Sequence, residues 1–224
     1  MLFVKQPFQI ITFDCYGTLI DWERGISEAF LDAAAADGVT LDRKIVLAAY
    51  AQVEPLVEGG QYLTYREVLT ETASRVAHML GWPVAYERAI FLHDSLPRWQ
   101  PFPDTNAALE LLRTAGYRLG ILSNTDDDLL AATWKHFTVD FDPVITAQQV
   151  RSYKPNHAHW LAARKVLGAT PWLHAAQSNH HDIVPTNVLG IPNAWINRKG
   201  ESALQGGTPS YEFASMAAFA EAFA

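Results

Sequence analysis

Four short stretches of this chain carry side chains able to do chemistry. In the first, the apolar run Ile10-Ile11-Thr12-Phe13 delivers a lone carboxylate, Asp14, to a turn containing Gly17. An ionised carboxylate held at such a turn is a candidate nucleophile. The others are Ser123-Asn124, Lys154-Pro155 and the run from Asn179 to Asp182. Each has a bland reading: a Ser-Asn pair is a turn or helix cap, a Lys-Pro pair a surface loop, and an Asp before Ile183 a cap. Their order and spacing together make the catalytic reading the better one. An absence also matters, because Tyr16 stands two places after Asp14. A phenol with an ordinary pKa of ~10 is a poor proton donor to the leaving oxygen of a phosphate monoester.

These residues fall where strands should end. Gln9 to Phe13, Tyr117 to Leu122, Asp142 to Thr146, Leu173 to Ala176 and Asn193 to Ile196 are short apolar runs of buried-strand type. Helical patterns lie between them, at Asp104 to Ala115, Asp127 to Phe137, Asn156 to Leu167 and Ile183 to Leu189. Alternation of this kind predicts a parallel α/β sheet covered on both faces, whose ligands gather at the carboxyl ends of its strands. From Asp21 to Pro97 the alternation stops. Four helical patterns follow one another, Ile26 to Ala36, Arg43 to Glu58, Tyr65 to Leu80 and Tyr86 to Ser95. They read as a helical bundle inserted after the first strand as a cap, giving a Rossmann-like core of residues 1–20 and 98–224 and a cap of residues 21–97. Ala214 to Ala224 reads as a terminal helix.

Composition narrows the function. A net charge of −7 argues against general nucleic-acid binding, and no apolar run is long enough to span a membrane. The residues around Lys5 lack a signal-peptide core, and the single cysteine, Cys15, suits a reducing compartment, so a cytoplasmic protein is expected. Cys15 reads as a small buried filler. His157 with His159 and His180 with His181 are poorly placed to share a metal, and Asp126-Asp127-Asp128 reads as an acidic helix start.

The four stretches together resemble the haloacid dehalogenase superfamily, over nearly the whole chain. Asp14-Cys15-Tyr16-Gly17-Thr18-Leu19 and Ala194-Trp195-Ile196-Asn197-Arg198 look like its L-2-haloacid dehalogenase branch. The resemblance implies hydrolysis of the carbon–halogen bond of a short 2-haloalkanoic acid, with Asp14 forming an aspartyl ester that water then cleaves. It gives Ser123 and Asn124 the task of holding substrate groups, Lys154 that of offsetting carboxylate charge, and Asn179 with Asp182 that of positioning and activating water. It points to a homodimer and to no cofactor. The metal-using relatives carry an Asp five places before the Asp182 position, and here that place is Gln177, a weaker magnesium ligand. The alternatives are a magnesium-dependent phosphatase or phosphonatase-like hydrolase of a small metabolite, and a relative that binds a small carboxylate without turnover.

The departures from the branch are concrete. Its cap carries an arginine that reaches the leaving halide, and alignment through Gly60-Gln61-Tyr62 puts Val46 near that place. Arg43, one turn away, is the candidate replacement, with Arg24 and Arg66 as alternatives. Gln177 stands in place of Ser, Trp160 in place of Tyr, and His181 in place of Trp. Together with Tyr16 these are expected to form a rebuilt substrate pocket.

Overall fold

The computed structural model describes residues 7–224, so the stretch around Lys5 lies outside the described residues. Six parallel strands form one sheet in the order β3-β2-β1-β4-β5-β6. They are β1 (Ile10–Phe13), β2 (Arg118–Ser123), β3 (Val144–Thr146), β4 (Trp172–Ala176), β5 (Asn193–Ile196) and β6 (Tyr211–Phe213). β1 is fully buried and lies between β2 and β4, with Phe13 opposite Ile121 on one side and Ala175 on the other. The chain leaves β1 toward β2 in one direction and returns as β4 in the other. The crevice at such a switch point is where parallel sheets bind ligands, and Asp14 follows β1 into it.

Residues 22–95, after β1, form four α-helices: α1 (Trp22–Ala36), α2 (Arg43–Glu58), α3 (Tyr65–Met79) and α4 (Phe91–Ser95). Their starts follow from local chemistry. Asp42 accepts from the Lys44 and Ile45 N–H groups at α2, and Thr64 with Glu67 closes a capping box on α3. Their apolar faces join the same core as the sheet, through Phe30, Val46, Tyr50, Val68 and Val76. α3 is also capped from outside, since its first N–H groups, those of Tyr65 and Arg66, each donate to Asp126 at 3.0 Å. The chain enters and leaves this helical layer by two adjacent strands of backbone. Asp21 N–H donates to Gln100 O, Phe102 N–H donates to Leu19 O, and Ile20 pairs antiparallel with Pro101.

The sheet is covered by α5 (Thr105–Thr114), α6 (Asp127–Trp134), α7 (Ala147–Val150), α8 (Ala158–Leu167), α9 (Val184–Val188) and α10 (Met216–Phe223). α10 lays Phe219 edge-on to Phe13 at 6.2 Å, so β1 is anchored from beneath by aromatic packing. The α/β sheet with a helical cap is as expected, and β6 adds an edge strand. No helix among the described residues is long and apolar enough to cross a membrane.

Candidate active site

The site forms where the ends of β1, β2 and β4 and the loop carrying Lys154 meet α2. Asp14 stands at the end of β1 and is 8% exposed. Gly17 takes φ +103°, and a side chain there would press on Trp22 and Gln177, so the turn after the nucleophile requires glycine. That turn brings Thr18 back, where its hydroxyl donates to Asp14 Oδ2 at 2.8 Å and accepts from the Gln177 N–H at 2.9 Å. The other oxygen, Oδ1, accepts from Lys154 Nζ at 2.7 Å.

Lys154 is 2% exposed and commits all three of its donors, to Asp14, to Asp182 Oδ1 at 2.7 Å and to Leu122 O at 3.0 Å. Asn124 builds this position. Its amide donates to Lys154 O and accepts from Lys154 N–H, so its side chain serves the lysine loop. Burial alone would lower the lysine's pKa, but the two carboxylates outweigh it and hold Lys154 charged. Burial pushes Asp14 up from its ordinary value against the pull of Lys154. Asp182 is also penalised by burial, yet Lys154 and His174 hold it well below the ordinary carboxylate range.

His174 was not picked out from the sequence. It lies within β4, fully buried, with Nε2 3.0 Å from Asp182 Oδ1 and Nδ1 2.9 Å from Thr12 Oγ1. A carboxylate only accepts, so Nε2 carries the proton and Thr12 donates to Nδ1 when the ring is neutral. Asp182 belongs to a π-helical turn, Asn179–Ile183, whose start is capped by Ser178. Its Oδ2 is buried and has no partner.

Asp14, Tyr16, Ser123, Asn124, Lys154, Gln177, His181 and Asp182 line one cavity of about 260 Å3. The Ser123 hydroxyl is buried there without a partner. The Tyr16 hydroxyl is bound to Thr133 Oγ1 at 2.8 Å, and burial pushes the phenol well above its ordinary pKa. It is not a proton donor near neutrality. His181 contacts Ser178 Oγ through Nδ1, and burial brings its pKa down to about 4, so the ring is neutral.

Three expected site residues lie elsewhere. Trp160 is completely buried beside Ile10 and Leu122, edge-on to His174 at 6.0 Å, as a core residue. The Asn179 side chain bonds Gly207 O and Leu204 N–H, so it anchors the 204–207 loop and does not line the cavity. Arg43 is exposed at the first turn of α2 and the cavity begins two turns further on, at Ala51. The alternatives are also engaged elsewhere: Arg24 pairs with Glu28, and Arg66 with Asp128. Val46 belongs to the apolar core.

On the cavity side the helical layer presents Glu54 and Glu58, one turn apart on α2, together with Trp22, Tyr65 and Trp99. The signal for the two acids was their i, i+4 spacing on the stripe of Val46, Tyr50, Val53 and Val57, which is the buried face of α2.

Relatives of this chain are dehalogenases. The chain is 27% identical to the (S)-2-haloacid dehalogenase H-109 of Pseudomonas putida, over 92% of this chain and 94% of that one. It is also 27% identical to the haloacetate dehalogenase H-2 of Moraxella, over 87% and 88%. Among solved structures, a defluorinating L-2-haloacid dehalogenase superposes with a TM-score of 0.82 at 23% identity, covering 96% of this chain and 95% of that one. The L-2-haloacid dehalogenase of Xanthobacter autotrophicus with chloropropionic acid covalently bound superposes at 0.74 and 21% identity, over 96% and 97%. The family model for haloacid dehalogenase-like hydrolases matches residues 8–173, and the chain belongs to that family of enzymes.

Proposed function

We propose that the protein hydrolyses the carbon–halogen bond of 2-haloalkanoic acids through an ester on Asp14. The observation that carries this reading is the setting of Asp14, held between Lys154 and Thr18 in a cavity with no acid at position 16. The carboxylate attacks C2 of the substrate, the carbon–halogen bond breaks, and the halide leaves with the bonding pair. No proton is needed at that step. The unpaired Ser123 hydroxyl is free to donate to the substrate carboxylate. Water then attacks the ester carbonyl of Asp14 and the acyl–oxygen bond breaks; one water proton ends on the released 2-hydroxy acid and the other passes to solvent, restoring the carboxylate. The unpaired Oδ2 of Asp182 is the acceptor that orients this water, while Lys154 and His174 fix its other oxygen.

The test is halide release from 2-chloropropionate, with single-turnover reactions in heavy-oxygen water and mass spectrometry of the Asp14 peptide. Label in Asp14 is expected, and loss of halide release in Asp14→Asn. Turnover without label, or an active Asp14→Asn variant, overturns the ester route.

A further inference from the structure

The charge lining the cavity is unbalanced. Asp14, Asp182, Glu54 and Glu58 face it against Lys154 as its one lysine or arginine. That lysine has no donor left for a ligand, because Asp14, Asp182 and Leu122 take all three. The Glu54 side chain receives one hydrogen bond, from the Tyr50 hydroxyl at 3.1 Å, and the Glu58 side chain has no hydrogen bond or ion pair among the described residues. Both glutamates are half-buried. Burial pushes Glu54 up to about 7, and burial with the neighbouring Glu54 pushes Glu58 well above its ordinary value. A missing counter-charge is the direct physical reading of such a pair.

Two further observations point to a ligand. The cavity is lined by two almost wholly buried residues with a polar atom that has no partner among the described residues, Asp182 (1% exposed) through Oδ2 and Ser123 (0%) through Oγ. Its wall also carries three aromatic residues, Trp22, Tyr65 and Trp99. Aromatic faces next to carboxylates attract a cation, and an alkyl chain would leave both glutamates without a partner.

We propose that the α2 side of the cavity is a subsite for a positively charged nitrogen, so that the preferred substrate is a 2-halo acid whose chain ends in an ammonium group. The proposal rests on the dehalogenase reading for the halogen, and on Glu54, Glu58 and the aromatic wall for the ammonium.

The experiment pairs two 2-bromo acids of equal length, one ending in a primary ammonium and one in a methyl group. Halide release gives kcat/KM for each at neutral pH, where the amine, with a pKa of ~10.4, is protonated and cannot displace the bromide itself. The halogen-free analogues of both are titrated by calorimetry. The ammonium acid is expected to be favoured by about tenfold or more, mainly in KM, and to bind more tightly as the halogen-free analogue. In Glu54→Gln/Glu58→Gln the ratio between the two acids should collapse toward one.

Equal or better use and binding of the methyl-ended acid, or a preference that survives the double substitution, overturns the subsite. Such a result would leave Glu54 and Glu58 as protonated hydrogen-bond donors. If neither bromo acid releases halide, the dehalogenase reading is what fails. The calorimetric pair then decides the subsite by itself.

Discussion

At the residue scale, Lys154 decides whether the site can exist. Replacing it by Met leaves Asp14 and Asp182 facing each other without a counter-cation. Removing one partner of a buried charge network costs about 3–5 kcal/mol. We expect Lys154→Met to lose that much stability near neutrality by urea unfolding, with the deficit narrowing as acid protonates the carboxylates. An unchanged midpoint would mean that the network contributes nothing. Glu54 gives a prediction of opposite sign. Its carboxyl titrates at about 7 in the fold and at ~4.3 in an unfolded chain, so between those values the folded state keeps a proton that the unfolded state has lost. Stability from this group is full below the lower value and is lost as pH rises through the upper one. Glu54→Gln should therefore gain in Tm relative to the parent as pH rises from about 5 to about 8. A constant difference across that range counts against the shifted carboxyl.

At the scale of elements, the packing of α1 on Trp99 is the most demanding contact around the cavity. A side-chain carbon on Gly25 would sit 2.3 Å from the Trp99 ring, which also meets Tyr16 edge-on at 5.9 Å. Gly25→Ala gains ~1 kcal/mol of helix propensity, but overpacking costs about 1–3 kcal/mol, and the ring it displaces is cavity wall. We expect lower thermal stability with a raised KM for haloacids, and a wild-type KM would show that Trp99 does not shape the site. Much of this level was legible beforehand. α2 runs from Arg43 to Glu58 as its pattern predicts, and β5 from Asn193 to Ile196. β6 was not legible, because Tyr211-Glu212-Phe213 is short, with a charge at its centre, and is held by pairing to β5. Trp160 and Arg43 were misplaced for a different reason. Alignment by position locates a residue along an element and does not say which side of the sheet or which turn of the helix it occupies. Glu54 and Glu58 were overlooked because acids on a helix usually mark its wet side, and here that side is the ligand cavity.

At the scale of the whole molecule, the helical layer and the sheet share one apolar core, and Asp126, beside the sheet, holds the start of α3. The two crossing segments between them are bonded to each other at Asp21 with Gln100 and at Leu19 with Phe102. A paired ribbon bends as a unit and resists shear. We expect the helical layer to move about this ribbon as a single body when the cavity opens. Trp22 and Trp99 flank this ribbon and both line the cavity, so a swing carries the two indoles out of their shared environment together. Stopped-flow tryptophan emission should follow ligand entry with a single relaxation, lost when both are changed to Phe and kept when Trp160 alone is. The wall thus makes the enzyme its own optical gauge of opening, without an attached dye.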